Sequence, residues 1–164
     1  MTDSPINATA VGRGALMGLV ALLPVVLATA LAESNIDDFD TSGWAAVAFV
    51  ALLAVYAYAG YVAGTVSTDA PLTNGSLAGI GTFVLWLPLR FLIWLVRGDQ
   101  GLVNGDNPVF NPGAILLFFV VAGVAGMLGA ILGARRTPDR AGETDSTSSA
   151  QQAPQDTQDV ATDD

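Results

Sequence analysis

The chain has 164 residues, of which 52% are hydrophobic and only 13% are charged, and its mean hydropathy is +0.53. Soluble domains place about a quarter of their residues on charge, so this composition excludes an ordinary soluble globular protein. The chain has no cysteine and no histidine and a net charge of −9. We therefore expect no disulfide, no thiol chemistry, no metal site, no cofactor and no nucleic-acid partner.

The apolar residues fall into four runs separated by more polar segments. Each run is about 20 residues long, which is the length that an α-helix needs to cross a hydrocarbon core about 30 Å thick. A backbone in lipid must satisfy its own hydrogen bonds, so the runs are predicted to be helices. The predicted spans are residues 14–32, 44–66, 75–96 and 113–134. The expected fold is an all-α, polytopic membrane protein, with a transmembrane domain at residues 13–136 after a short segment at residues 1–12.

The first span also has features of a signal peptide. Arg13 precedes it, and small residues between positions 28 and 32 stand before Glu33, which fits an A-x-A cleavage site. Against cleavage, the segment before the apolar run has only one base and also contains Asp3. A retained first helix is favoured, and cleavage is the alternative.

Arginine placement predicts the orientation. Arg13 precedes the first span, and Arg135, Arg136 and Arg140 follow the last, whereas the first connecting loop contains four acids and no base. The positive-inside rule then predicts a multi-pass protein of the cell membrane with both termini in the cytoplasm. Arg97, beside the second outer loop, is the exception to this pattern.

The spans look duplicated. The segments "RGALMG" at residues 13–18 and "NGSLAG" at residues 74–79 share the pattern G-x-L-x-G, and "AGYVAG" at residues 59–64 is similar to "AGVAG" at residues 122–126. Two hairpins in the same orientation imply a parallel internal repeat about an axis along the membrane normal. The four helices are therefore expected to form two tandem helical hairpins.

Each predicted span carries a GxxxG pair in its cytoplasmic half. The pairs are Gly14 with Gly18, Gly60 with Gly64, Gly75 with Gly79, and Gly129 with Gly133. Small residues let helix backbones approach closely, so we expect tight packing in this half and bulky aromatic rings that separate the helices in the outer half. Alternatively, some of these glycines face a second copy of the chain in a homo-oligomer.

The third span contains the one charge within the predicted spans, Arg90. Trp86, Arg90, Trp94 and Arg97 are spaced by four, four and three residues and so share a helix face. The two tryptophans are expected to hold the guanidinium by cation–π contact.

Two interpretations of Arg90 compete. In the favoured one, its side chain snorkels to the outer interface and pairs with an acid such as Glu33 or Asp37, anchoring the third span. In the other, Arg90 and Arg97 line an outward-facing cavity that receives an anionic group.

The last segment, residues 137–164, differs from the rest. It has seven acids against one arginine and almost no apolar residue, a composition typical of a disordered tail. A solvated acidic tail is favoured, and a docking tail for a basic partner is the alternative.

No predicted span pairs a serine, aspartate or glutamate with a partner for nucleophilic or acid–base chemistry, so an enzyme is not expected. The leading functional prediction is a structural or accessory subunit that packs through its small-xxx-small faces, with itself or with a larger membrane complex. The alternative is a small carrier or channel with an outward-facing anion site at Arg90.

The pattern "AGYVAG…APLTNGSLAG", followed by a further hairpin, resembles small four-helix prokaryotic integral membrane proteins of unknown function. The resemblance covers residues 12–136 and rests on glycine spacings. It implies a four-helix fold and no particular activity.

Overall fold

The computed structural model of the protein describes residues 6–36, 38–67, 70–97 and 110–136. Within them the chain forms four helices and a short 3₁₀ turn at Phe39–Thr41. The helices are α1 (Ala8–Asn35), α2 (Gly43–Val66), α3 (Pro71–Arg97) and α4 (Pro112–Arg136). Each is long and apolar enough to cross a membrane, which confirms the prediction of an all-α chain with four candidate spans. The acidic tail lies outside the described residues.

The observed helices begin earlier than the predicted spans, and at α1 and α4 the start is marked by a capping asparagine. Asn7 caps α1, since its side chain accepts a hydrogen bond from the backbone N of Ala10 at 3.0 Å. Asn111 caps α4 through the backbone N of Gly113, also at 3.0 Å. Helix α3 begins at Pro71, whose fixed φ and missing N–H suit the first helical position. Helix α1 thus includes part of the segment predicted to precede the transmembrane domain.

Successive helices run antiparallel, so α1 and α3 run one way and α2 and α4 run the other. Helices α2 and α3 each pack against all three other helices, while α1 and α4 lie diagonally opposite with little contact between their described residues. We call the end with the start of α1 and the end of α4 the basal end. The opposite end, with the end of α1 and the start of α4, is the distal end.

Packing differs between the two halves of the bundle. The buried apolar residues of the basal half are mostly alanines: Ala10, Ala15, Ala59, Ala63, Ala78, Ala122, Ala125 and Ala130. The last buried residues toward the distal end are Leu22 on α1 and Phe83 on α3, and Pro24 and Pro88 follow them within the same helices. Beyond this level the side chains are larger and more exposed, and cavities lie between the helices.

Candidate functional site

The eight glycines of the GxxxG pairs face neighbouring helices of the same chain. A Cβ atom built on Gly14 would lie 2.6 Å from the carbonyl oxygen of Ala59, and one built on Gly75 would lie 2.7 Å from that of Gly126. Such distances are too short for real Cβ contacts, so only glycine fits there. The same holds for the remaining six: Gly18, Gly60, Gly64, Gly79, Gly129 and Gly133. These faces are therefore occupied within the chain, which leaves them closed to a second copy.

The two hairpins use matching positions for this packing. A Cβ on Gly18 would meet Ala59, and a Cβ on Gly79 would meet Ala122. Gly79 follows Gly18 by 61 residues and Ala122 follows Ala59 by 63, which are the offsets of the similar segments in the sequence. The contact between the two helices of the first hairpin thus has a counterpart in the second.

A buried polar cluster ties three helix ends together at the basal end. Asn74 is fully buried; its Nδ2 donates to Oγ of Ser67 at 3.0 Å, and its Oδ1 accepts from the backbone N of Asn7 at 3.0 Å. Asn7 and Asn74 each begin an N-x-S/T sequon in the sequence. Asn74 is fully buried and so has no room for a glycan, whereas Asn7 is exposed. The cluster holds the starts of α1 and α3 and the end of α2 in register.

A second interhelical hydrogen bond joins α1 and α3. The Thr82 hydroxyl is fully buried and lies 3.2 Å from the carbonyl oxygen of Ala15 and 3.0 Å from that of Ala78. The first contact crosses between helices, and the second lies within α3. Neither Thr82 nor Asn74 was predicted to join helices. Thr82 is a lone polar residue in an apolar run and Asn74 lies just before the third predicted span, so neither position indicates its partner.

The distal half contains a cavity of about 370 Å³ that is lined by residues of all four helices. Its innermost lining residues are Leu22, Tyr56 and Phe83, which are all buried. Its walls are Val25, Val26, Ala48, Phe49, Leu52 and Phe118. A mostly apolar cavity of this size is within the range of small-molecule sites.

Polar side chains lie at the distal side of this cavity. They are Thr29 and Glu33 on α1, and Trp86 and Arg90 on α3. The Thr29 hydroxyl is used within its own helix, since it donates to the carbonyl oxygen of Val25 at 2.9 Å. Among the described lining residues, Glu33 and Arg90 are the two that carry a formal charge.

Arg90 is exposed and forms no ion pair and no hydrogen bond with any residue that the structure describes. The predicted pairing with Glu33 is thus not formed, although the two residues line one cavity. Asp37, the other predicted partner, lies outside the described residues, and so does the side chain of Arg97. Arg90 thus lines a cavity and has no partner among the described residues, while the anion site of the second interpretation stays a prediction.

The predicted cation–π contacts of Arg90 are also not formed. The Trp94 ring packs against Phe91 of its own helix, with ring centroids 5.5 Å apart, and its buried indole N–H has no hydrogen-bond partner within the described part of the chain. Trp86 lines the cavity beside Arg90. Among the described residues, the cation–π contact is that of Arg136 over the Tyr61 ring, at 6.0 Å, near the basal end.

Two further hollows flank the bundle. One of about 330 Å³ lies between the distal halves of α1 and α2, and its lining includes Pro24, Phe39 and Trp44. It shares Val25, Thr29 and Ala48 with the cavity of about 370 Å³ in the distal half, so the two spaces are adjacent. The other, of about 550 Å³, is a groove between α2 and α4 with an almost entirely apolar lining.

Among residues 6–36, 38–67, 70–97 and 110–136 there is no group of three acidic, histidine or cysteine side chains that could hold a metal ion. Comparison of the chain with protein-family models, curated proteins and solved structures found no match. The resemblance to small four-helix membrane proteins stays a prediction.

Proposed function

We propose that the protein is a non-enzymatic integral membrane protein that binds an amphiphilic anion, as a binding protein or small carrier. The anionic group would bind Arg90, and the apolar part would fill the cavity above Leu22, Tyr56 and Phe83. The observation that carries this proposal is that the Arg90 guanidinium has no partner among the described residues and lies at a cavity whose floor is apolar.

The energetic cost of Arg90 supports a role in binding. Arg90 precedes the end of α3 at Arg97 by seven residues, about 10 Å along the helix axis. On insertion scales an arginine at the centre of a span costs about 2.5–3.5 kcal/mol, and less where its stem snorkels toward the interface. A phosphate or carboxylate would offset that cost through charge-assisted hydrogen bonds, which the described residues do not supply.

The orientation belongs to the same proposal. Arg13 near the start of α1 and Arg135 and Arg136 at the end of α4 share the basal end, while Glu33 lies near the distal end. By the positive-inside rule, the basal end and both termini would face the cytoplasm of the cell, and the cavity would face outward. The acidic tail, residues 137–164, would then be a solvated cytoplasmic segment.

The tandem repeat is also proposed. The matched contacts of Gly18 with Ala59 and of Gly79 with Ala122 support two similar hairpins packed side by side in the same orientation, with α1 beside α3 and α2 beside α4. They do not support a two-fold axis along the membrane normal, because such an axis would pack α1 against α4 as closely as α2 against α3. In the side-by-side arrangement Arg90 on α3 has Thr29 as its approximate counterpart on α1, 61 residues earlier. Arg90 of the second hairpin would therefore have no charged counterpart in the first hairpin.

The proposal is tested by replacing Arg90 with glutamine. The protein, in nanodiscs of neutral lipid, is titrated with a fluorescent long-chain alkyl phosphate. Loss of a charge-assisted hydrogen bond costs about 1.5–3 kcal/mol, so Arg90→Gln should raise Kd by roughly 10- to 150-fold. Arg13→Gln is the matched control, because Arg13 is exposed and does not line the cavity. Equal Kd values for Arg90→Gln and the unmodified protein would contradict the proposal.

An accessory-subunit role is the second candidate, and the groove between α2 and α4 favours it. Its lining includes Val50, Ala54 and Leu128, with scarcely any polar surface, so an apolar helix of a partner protein would fit there. The glycine faces would not serve this purpose, since they are occupied within the chain.

A bulky side chain in the groove tests this second candidate. Ala54→Trp should remove a native-membrane complex from blue native gels, whereas Ala46→Trp, on an exposed part of α2 outside the groove lining, should preserve it. A complex that survives Ala54→Trp, or a chain that migrates alone throughout, would eliminate the subunit role.

A further inference from the structure

We infer that the distal cavity selects a two-chain phospholipid whose head group carries an amine as well as a phosphate. This inference rests on the proposed anion site at Arg90 and adds a role for Glu33, which would bind the amine. The observation behind it is that two opposite charges line one cavity and do not pair with each other.

The two charged residues are set at different heights. Gly18 and Thr82 face each other across α1 and α3 and mark a common level. Arg90 follows Thr82 by eight residues, about 12 Å, and Glu33 follows Gly18 by fifteen residues, about 22 Å. Their backbones are therefore offset by about 10 Å, with Glu33 nearer the distal end. A ligand that engages both must present its anion deeper than its cation.

Charge balance favours a zwitterion over a simple anion. With a monoanion bound to Arg90, Glu33 would face a ligand of its own sign in an environment less polar than water, where like charges repel strongly. With a phosphate and an ammonium on one head group, each charge of the cavity meets an opposite one, and the occupied site is neutral. A primary ammonium can also donate hydrogen bonds to the carboxylate.

The apolar spaces favour a lipid over a free head group. Phe83 and Arg90 both line the cavity and are seven residues apart on α3, so their backbone positions differ by about 10 Å along the helix axis, and most of the lining is apolar. The adjacent hollow between α1 and α2 shares Val25, Thr29 and Ala48 with that cavity. The two adjacent spaces have volumes of about 330 and 370 Å³ and mostly apolar linings. Each suits the upper part of one acyl chain, with Val25, Thr29 and Ala48 between the two chains.

The test compares two phospholipids with the same acyl chains, one with an ethanolamine and one with a glycerol head group. Nanodiscs contain both lipids in equal amounts, and the lipids that stay bound after extraction are counted by native mass spectrometry. The unmodified protein should retain the ethanolamine lipid at least 5-fold over the glycerol lipid. Glu33→Gln should bring that ratio close to one. Asp38→Asn, an exposed acid outside the cavity lining, is the control and should leave the ratio unchanged.

The outcomes separate this inference from the proposed function. If Arg90→Gln lowers retention of both lipids but Glu33→Gln leaves the ratio unchanged, the amine site is wrong and the anion site stands. If neither lipid is retained above the level of Arg90→Gln, the proposed function fails as well. Free phosphoethanolamine is added as a competitor; displacement of the lipid at equal concentration would show that the ligand is the soluble head group and overturn the lipid assignment.

Discussion

Asn74 on α3 accepts a hydrogen bond of 3.0 Å from the backbone N of Asn7, a residue 67 positions earlier in the chain. The same Asn74 donates to Ser67, and Asn7 in turn caps α1 through Ala10. One buried amide thus connects three helix ends that the sequence leaves far apart. This makes Asn74 a structural residue of the basal end rather than part of a ligand site.

Replacing Asn74 with alanine should destabilise the bundle without altering the distal cavity. The change leaves the Asn7 N–H and the Ser67 hydroxyl without their partner, and an unsatisfied buried polar group costs about 1–3 kcal/mol. We expect a lower midpoint of thermal unfolding in detergent, measured by circular dichroism. Thr73→Ala is the matched control, because Thr73 is the exposed neighbour of Asn74 on the same helix. An unchanged unfolding midpoint for Asn74→Ala would show that the Asn74 amide contributes nothing to the stability of the bundle.

Gly129 should not tolerate even a single added methyl group. A Cβ there would overlap the backbone carbonyl of Ala57 on α2, which cannot move without shifting the helix. Overpacking of this kind costs about 1–3 kcal/mol, so Gly129→Ala should weaken the contact between α2 and α4. The readout is the loss of folded protein as sodium dodecyl sulfate is added.

Gly12→Ala is the control for this experiment, since a Cβ at Gly12 meets nothing within 4 Å. Alanine is a better helix former than glycine by about 0.5–1 kcal/mol, so this variant should be as stable as the unmodified protein or slightly more stable. If Gly12→Ala and Gly129→Ala unfolded at the same concentration of sodium dodecyl sulfate, close packing at Gly129 would not explain the stability of the contact between α2 and α4.

The number of long apolar helices could be predicted from the sequence, because a run of about 20 apolar residues can be recognised without knowing what it packs against. The close packing of the basal half is also consistent with the GxxxG pairs. What the sequence left open was which surface the glycines face. That depends on the rotation of each helix, and Gly60 and Gly129 turn out to face helices of the same chain.

The candidate site was predicted in part. Arg90 is conspicuous in the sequence as a charge within a span, but its surroundings depend on how far α1 and α3 separate beyond Leu22 and Phe83. Small rotations of side chains also decide the aromatic contacts, and Trp94 packs on Phe91 instead of Arg90. Sequence spacing places residues on a common face but does not specify which of them touch.

Thr82 provides a test of the contact between α1 and α3. Thr82→Val keeps the shape of the side chain but removes the hydroxyl that donates to Ala15. Hydrogen bonds between membrane helices contribute about 0.6 kcal/mol on average, with values up to about 1.7, so a modest loss of stability is expected. Thr82→Ser retains the hydroxyl and should fall between the valine variant and the unmodified protein in steric trapping measurements. A valine variant at least as stable as the serine variant would count against the hydrogen bond.

The orientation can be tested with two cysteines on one helix, because the chain has no cysteine of its own. Thr9 and Ser34 are both exposed and lie near opposite ends of α1. A membrane-impermeant maleimide added to intact cells should label Ser34→Cys and leave Thr9→Cys unlabelled until the membrane is opened. This follows from the arginines Arg13, Arg135 and Arg136 at the basal end, which the positive-inside rule assigns to the cytoplasm. Labelling of Thr9→Cys alone would show that the orientation is the opposite one, with Arg90 and its cavity on the cytoplasmic side.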